Sequence, residues 1–541
     1  MYKNTKMKII DSNFLYYTIV ILLMLYFLFM ASSFIREPGL YYDEVLFVNA
    51  ALGGINSSFI YKKFLEIPIM LMPYIGALKA YIYYPIFKLF GVSPETIRLP
   101  AIIISSISIW ISFMISRHIF DNKWIVLACV ATIATDPTFI FMSKLDYGPV
   151  VLMIFLKLLV ILFFFNLIET FSLLNMWLIV ILCLLGIYNK LDFIWFIIAF
   201  CIATLVFWDK LIAIYNKHRY GFLTSLSVLA AGVFIAFVIL IVPLLTGGNK
   251  IITINLLERI PRVFYLYRIT MDGQSLYNFI TNSHLHVKTM INLITLVALF
   301  SFGILGLIAV FKQNILNNFK TQVVVFFLIV SILIFIQIML TNAANGSHHI
   351  MMIWPFHIFF IFSVISLIIG FIGRYFKKTI VVLMIIVFIV LIGSEINTSF
   401  GYYDTFKNNQ GFNPLWDNKI YQLINYIDNY TKNVSINYII SVDWGINNQV
   451  FSLVKNKERA KCLDLWPTFN ELLQTRNEKW LYQTYFAGKT VLILLHSSDD
   501  EVMPNARKNF FIFSKSYLKS IKLIKVFKNK QKIIYEVYYY N

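Results

Sequence analysis

Apolar stretches of roughly 20 residues recur through the first 400 positions, separated by short polar loops, and then stop. A run of about that length crosses the hydrocarbon core of a bilayer, and helices are the elements that satisfy their own backbone there. The pattern predicts spans at about 14–35, 98–119, 124–143, 147–168, 174–188, 191–208, 221–245, 289–311, 321–341, 350–372 and 379–397. The first follows Lys3, Lys6 and Lys8, lacks a small-residue cleavage site and reads as an uncleaved anchor. The stretch Pro68–Phe90 is apolar enough to cross but contains Pro68, Pro73, Pro85 and Lys79.

Charge settles that stretch. If it does not cross, one side of the membrane receives Lys3/Lys6/Lys8, Arg117/Lys123, Lys210/Lys217/Arg219, Lys312/Lys320 and Arg374/Lys377/Lys378. A side so basic is the cytoplasmic one. Pro68–Phe90 then reads as juxtamembrane helices on the outer face. The fold class is a polytopic α-helical membrane protein with about eleven spans, its N-terminus cytoplasmic and its C-terminus extracytoplasmic. The formal net charge of +19 is explained by these loops, so a nucleic-acid partner is not invoked. The expected site is the outer face of a cytoplasmic (inner) membrane.

After about residue 400 polar residues rise and apolar runs shorten. Stretches 418–431, 446–456 and 469–486 read as helices; 434–441, 490–496, 521–527 and 532–540 read as strands, the last two joined by a turn at Lys528-Asn529-Lys530-Gln531. The expected division is a transmembrane domain over residues 1–399 and a small extracytoplasmic α/β domain over 400–541.

Three outer segments carry the candidate chemistry. The first, Arg36 to Ile97, opens with Asp43 and Glu44, an acidic pair in an acid-poor chain. The second, Thr246 to Lys288, carries Arg259, Arg262, Arg268, Asp272, His284 and His286; the third carries His348 and His349. Asp146 lies in a tight link between two spans and reads either as a second acid of the site or as a cap for the next helix, with Pro149 in its first turn. Asp136, before Pro137, is either an intramembrane functional acid or the cap of a helix broken there. Lys190 either pairs with Asp192 or faces an anion; Lys79 either snorkels or meets one; Arg98 is an interfacial anchor or an anion ligand. Adjacent histidines diverge on a helix, and no His/Cys/Asp set has metal spacing, so neither metal nor cofactor is expected. No P-loop or dinucleotide fingerprint occurs, which disfavours nucleotide-driven chemistry.

Taken in order, Tyr42-Asp43-Glu44, Pro73-Tyr74-Ile75-Gly76-Ala77-Leu78-Lys79, Ile97-Arg98-Leu99-Pro100, Thr135-Asp136-Pro137, Leu145-Asp146-Tyr147-Gly148-Pro149, Asn189-Lys190-Leu191-Asp192-Phe193 and His348-His349 with Trp354-Pro355-Phe356 resemble the C-type membrane glycosyltransferases. The nearest resemblance is to the dolichyl-phosphate-mannose protein mannosyltransferase-like family that includes aminoarabinose transferases. It spans roughly residues 35–360. It implies Asp43 as base, Glu44 assisting, and Asp146 as a second acid of the cavity. It also implies a polyprenyl-phosphate sugar donor, inversion at the anomeric carbon and no obligatory metal. The acceptor is a lipid, glycan or protein hydroxyl or phosphate, met among membrane lipids. Donor-phosphate ligands are expected among Lys79, Arg98, Lys190 and His349. Two rival readings are a polyprenyl-linked glycan polymerase or ligase and, with no internal repeat to support it, a lipid or solute transporter. The lysine-proline-proline run of aminoarabinose transferases is absent: Ile67 and Met72 precede Pro68 and Pro73. The C-terminal domain resembles no named fold.

Overall fold

The structure, a computed structural model, describes residues 12–52, 60–65, 67–146, 148–238, 256–286, 288–311, 318–342, 344–371, 374–408 and 412–541. The chain forms two compact units. One comprises Met1–Ser33, Leu99–Phe279 and Ser283–Asp404; the other comprises Phe34–Arg98, Ile280–Asn282 and Thr405–Asn541.

The first unit is helical. Among the described residues, seven helices are long and apolar enough to cross a bilayer: Phe14–Ser32, Pro94–Ile119, Val150–Thr170, Phe193–Lys217, Arg219–Ala236, Phe319–Met339 and Val381–Asn408. The helix Pro94–Ile119 starts in the other unit and enters this one at Leu99. Three shorter apolar helices, Leu173–Asn189, Ile291–Ile304 and Phe356–Gly370, and one bent pair fall where the remaining expected spans lie. The seventh expected span ends beyond the described residues. Many helix faces leave large apolar side chains uncovered, such as Phe29 at 70% exposure and Ile389 at 62%. Such faces suit hydrocarbon, which costs an apolar side chain nothing.

The stretch expected as a single span at 124–143 is the bent pair, Lys123–Thr135 and Pro137–Leu145, meeting at 48°. Pro137 has no N–H to donate back and its ring crowds the preceding turn, so the first half stops. Asp136 then caps the second half, its carboxylate accepting from Thr138 N at 2.8 Å and Phe139 N at 3.4 Å.

The second unit begins with the segment that carries Asp43 and Glu44. After a 3₁₀ turn, Tyr42–Val45, and a short helix, Leu46–Ala51, three strands form an antiparallel sheet in the order β1 (Lys62–Phe64), β2 (Ile67–Met72), β3 (Ile75–Gly76). The juxtamembrane stretch expected as helical is therefore a strand in its first part. Pro68 sits near the start of β2, where a proline is tolerated, and Pro73 falls in the turn that follows. Its second part, Leu78–Phe90, is a helix whose Ala80, Tyr83 and Phe87 share one buried face while Tyr84, Leu89 and Phe90 stay exposed.

The rest of this unit is a five-stranded sheet in the order β5 (Cys462–Asp464), β4 (Tyr438–Ser441), β6 (Val491–His496), β8 (Lys532–Tyr540), β7 (Lys522–Asn529). The first three strands are parallel; β8 and β7 run antiparallel as a hairpin closed at Asn529 and Lys532. Alternation sends Ile439 to one face and Ile440 to the other, and each face has its own core. Helices Lys419–Asn433 and Asn447–Leu453 pack on the first face. Helices Trp466–Thr475, Glu478–Tyr485 and Pro504–Tyr517 pack on the second.

Candidate functional site

The sequence-derived site residues divide between the units. Asp43, Glu44, Lys79 and Arg98 belong to the second; Asp146, Lys190 and His349 belong to the first.

In the second unit the Asp43 turn is fixed by one arginine. Arg98 Nε and Nη2 donate to the two Glu44 carboxylate oxygens, each at 2.8 Å. Its Nη1 donates to Ile35 O at 2.7 Å and Pro38 O at 2.9 Å, and Nη2 also reaches Gly39 O at 3.3 Å. A guanidinium has five N–H donors, and this set uses all five. Glu44 accepts a further bond from Tyr41 N at 2.9 Å. Both side chains of the pair are 1% exposed. Arg98 is thus the clamp of the segment that carries Asp43, and its donors are committed to that segment rather than to an anion. Glu44 is the other half of the clamp. Asp43, between Tyr42 and Glu44, is half-buried.

Lys79, at the start of helix Leu78–Phe90, is buried with Nζ 4.0 Å from the Phe47 ring centroid and 5.6 Å from that of Tyr83. It does not snorkel into water; the ring faces attract the ammonium instead.

The C-terminal α/β part supports the same turn. The Tyr41 ring stacks on Trp416 at 4.4 Å and the Tyr42 ring lies 4.3 Å from Trp444. Gln449 Nε2 donates to Leu40 O at 3.3 Å, and Asn49 Nδ2 donates to Asn448 Oδ1 at 2.9 Å. Gly39 N donates to Trp416 O at 2.7 Å, and a β-carbon at Gly39 would stand 2.3 Å from Asp417 O. Backbone approaches this closely only because the residue is glycine.

In the first unit Asp146 closes helix Pro137–Leu145 in the left-handed region, at φ 39°. Its Oδ1 accepts from Val151 N at 2.9 Å. That bond serves a first-turn N–H of helix Val150–Thr170, whose cap position is held by Pro149, and the Asp146 side chain is buried. Asn189 Nδ2 donates to Pro149 O at 3.1 Å, which ties this loop to the next one. There Lys190 and His349 meet on one carboxylate: Asp192 Oδ2 lies 2.8 Å from Lys190 Nζ and 3.0 Å from His349 Nδ1. Burial alone would raise the Asp192 carboxyl, but the Lys190 ammonium and the His349 ring outweigh it and hold it well below the ordinary carboxylate range. Burial and Lys190 together push the His349 ring down, with Asp192 opposing, and burial does the same to His348. Both shifts favour the neutral ring.

The loop bearing these histidines is held by buried polar groups that sequence reading did not connect to it. Arg259 donates to Thr341 O at 2.6 Å, Ala344 O at 2.8 Å, Ile338 O at 3.2 Å and to the Asn345 side chain. Lys157 Nζ donates to Met351 O at 2.8 Å and Met352 O at 2.7 Å. Trp354 Nε1 donates to Asp136 Oδ2 at 2.6 Å. Glu395, a buried acid inside a span, accepts from Thr135 Oγ1. An ionisable residue inside an apolar run was the available signal for Lys157 and Glu395. Among the described residues no group of three or more His, Cys, Asp or Glu side chains is placed to hold a metal ion.

Residues 76–245 match the family model described as dolichyl-phosphate-mannose-protein mannosyltransferase. Among solved structures, the fold is similar to that of ArnT from Cupriavidus metallidurans in the apo state, with a TM-score of 0.51 and 9% identity over 98% of each chain. No curated protein is similar enough in sequence to match. The family model and the fold together support a membrane glycosyltransferase. The resemblance to protein mannosyltransferase-like enzymes and aminoarabinose transferases, drawn from the motifs, is borne out on both counts.

Proposed function

We propose that the protein transfers one sugar from a polyprenyl-phosphate donor to an acceptor hydroxyl or phosphate on the outer face of a cytoplasmic membrane, with inversion. The observation that supports this most is the Arg98–Glu44 clamp. A buried ion pair with every guanidinium donor used is a costly way to shape a loop unless the loop must present a group accurately. The group presented is Asp43. In this reading Asp43 takes the proton from the acceptor hydroxyl as it attacks the anomeric carbon, and the carbon–oxygen bond to the lipid phosphate breaks from the opposite face.

The leaving phosphate gains charge as that bond breaks, and fixed cations stabilise it best where water is scarce. Two groups are candidates to meet it: Lys79, a buried ammonium in the unit of the Asp43 turn, and, in the other unit, Lys190, whose partner Asp192 is oriented by His349. Arg98 and Asp146 are positioning residues: the first shapes the Asp43 turn, the second turns the chain between two helices. The transfer itself needs no metal, because the phosphate is already an activated leaving group.

The test is a transfer assay with purified protein in nanodiscs and a panel of synthetic polyprenyl-phosphate sugars, products read by mass spectrometry. Release of polyprenyl phosphate with one sugar moved to the acceptor is expected. Transfer only from pyrophosphate-linked oligosaccharides would instead identify a glycan ligase.

A further inference from the structure

The buried layer of the α/β part changes character at one end. On the face covered by helices Lys419–Asn433 and Asn447–Leu453, the sheet contributes Ile439, Cys462, Leu492 and Leu494 to an apolar core. Two residues further along each parallel strand the same face carries Ser441 on β4, Asp464 on β5 and His496 on β6. Ser441 and Asp464 are direct partners across the strand pair. The covering helix starts there with Asn447, Asn448 and Gln449, all buried. The chain leaves β4 for β5 on one side and then crosses to β6 on the other, with covering helices on opposite faces. The carboxyl ends of β4 and β6 are therefore the switch point at which open α/β sheets take ligands.

Polar atoms without partners gather at this edge. They are Ser441 Oγ, both amide atoms of Asn447, Gln449 Oε1 and Asp464 Oδ1. Buried polar groups in folded proteins nearly always have a partner, so such a concentration marks a place built to bond something else. Asp43, Trp444 and Asp464 are half-buried, and through them the edge meets solvent. The Tyr42 ring lies 4.3 Å from Trp444, and Asn448 bonds its hydroxyl.

The chemistry of the edge selects among ligands. An anion would meet Asp43, Asp464 and Asp443. A cation would find Asp443 already engaged by His496 Nδ1 at 2.8 Å and by the N–H groups of Val502 at 3.0 Å and Met503 at 2.9 Å. What is offered is a mixture of amide and hydroxyl donors and acceptors beside an indole. Sugar hydroxyls both donate and accept, and the apolar face of a pyranose lies well on an aromatic ring. We infer that the carboxyl-end edge of β4, β5 and β6, with Trp444 and Tyr42, is a binding subsite for a neutral sugar of the acceptor, next to the Asp43 turn. Its purpose rests on the transfer reading; the binding does not.

The test is titration of the full-length protein in nanodiscs with neutral trisaccharides of glucose, galactose and mannose, followed by tryptophan fluorescence and saturation-transfer NMR. Saturable binding of at least one is expected, weakened about tenfold or more by Trp444→Ala and by Asn447→Ala. Thermal melts check that the variants fold; should Trp444→Ala fail to, Gln449→Ala and Ser441→Ala replace it. Absence of saturable binding to all three sugars, binding unchanged in the folded variants, or a soaked crystal with only ordered water at the edge would each overturn the inference. Binding without any transfer would instead fail the transfer reading and leave the subsite standing. Transfer to a sugar acceptor whose KM ignores these substitutions would fail the subsite alone.

Discussion

Glu44 and Arg98 in one unit, and Lys190, Asp192 and His349 in the other, are both buried charge clusters, yet they spend their hydrogen bonds differently. The first is closed: two carboxylate oxygens and four backbone groups account for the whole guanidinium and its partner. The second is asymmetric, one Asp192 oxygen serving both an ammonium and an imidazole. A closed cluster fixes shape and has no guanidinium donor left for a ligand. An asymmetric one leaves an ammonium and an imidazole sharing a single acceptor. On the proposed function the contrast separates residues that position from residues that meet substrate, and it can be broken experimentally.

The largest effect is expected where the closed cluster is opened. Arg98→Ala leaves Glu44 buried and unpaired, and should destabilise the protein by about 3–5 kcal/mol, read by denaturant or thermal unfolding in detergent. Arg98→Lys should recover little, since an ammonium cannot reproduce the two-oxygen fork. If Arg98→Ala melts like wild type and changes only the donor KM, the clamp assignment falls and Arg98 returns to the phosphate.

Asp43→Asn is next. It should lower turnover about 100-fold or more with unchanged thermal stability, because the amide keeps the shape and loses the basicity. Retention of more than roughly a tenth of wild-type turnover would remove Asp43 from the role of base.

At the asymmetric cluster, Lys190→Gln and His349→Gln should raise the donor KM or lower kcat about tenfold, the order of one charge-assisted hydrogen bond. Acceptor KM should not move. Normal kinetics in both would shift attention to Arg259, which acts on the same loop.

The smallest effect is a pH dependence. His348 and His349 have folded-state pKa values below the ordinary 6.5, so the unfolded chain takes up their protons first. The stability they contribute is present above about 6.5 and is lost as pH falls below it. Asp464 runs the other way. Burial and Asp443 push its carboxyl up to about 7, with a bond from Trp466 opposing, so its contribution holds at low pH and fades as pH rises through about 7. Melting curves of wild type, His348→Gln and Asp464→Asn between pH 5 and about 8 would separate the two slopes.

Much of the membrane part was legible because hydrocarbon imposes a length on every helix, and each expected span from residue 14 to 397 has an apolar helix in its place. The Asp136–Pro137 break was legible as two alternatives, and the backbone bonds to Thr138 and Phe139 give it a capping role. The α/β hairpin was read to within two residues at its start. Other features left no local trace. Strand β5 is three residues long, too short for alternation to show. Helix Pro504–Tyr517 buries Ala506, Phe510 and Phe513, a helical spacing blurred by the adjacent Phe511 and Ile512. The partners of Arg98 lie 54 to 63 positions away, and the contact of the Tyr42 and Trp444 rings joins residues some 400 apart. Contacts at that separation come from packing, and no window on the chain contains both halves.

The five-stranded sheet has two free margins, and each discourages strand addition. Strand β5 offers only three residues to an incoming chain. Strand β7 places exposed Lys522, Lys525 and Lys528 along its length. Two copies approaching edge to edge would bring those ammonium groups together, which is how natural sheets avoid accretion. The consequence is crowding tolerance: many molecules can share a small area of membrane without their sheets fusing into a continuous ribbon, and replacing those three lysines by valine should remove that tolerance.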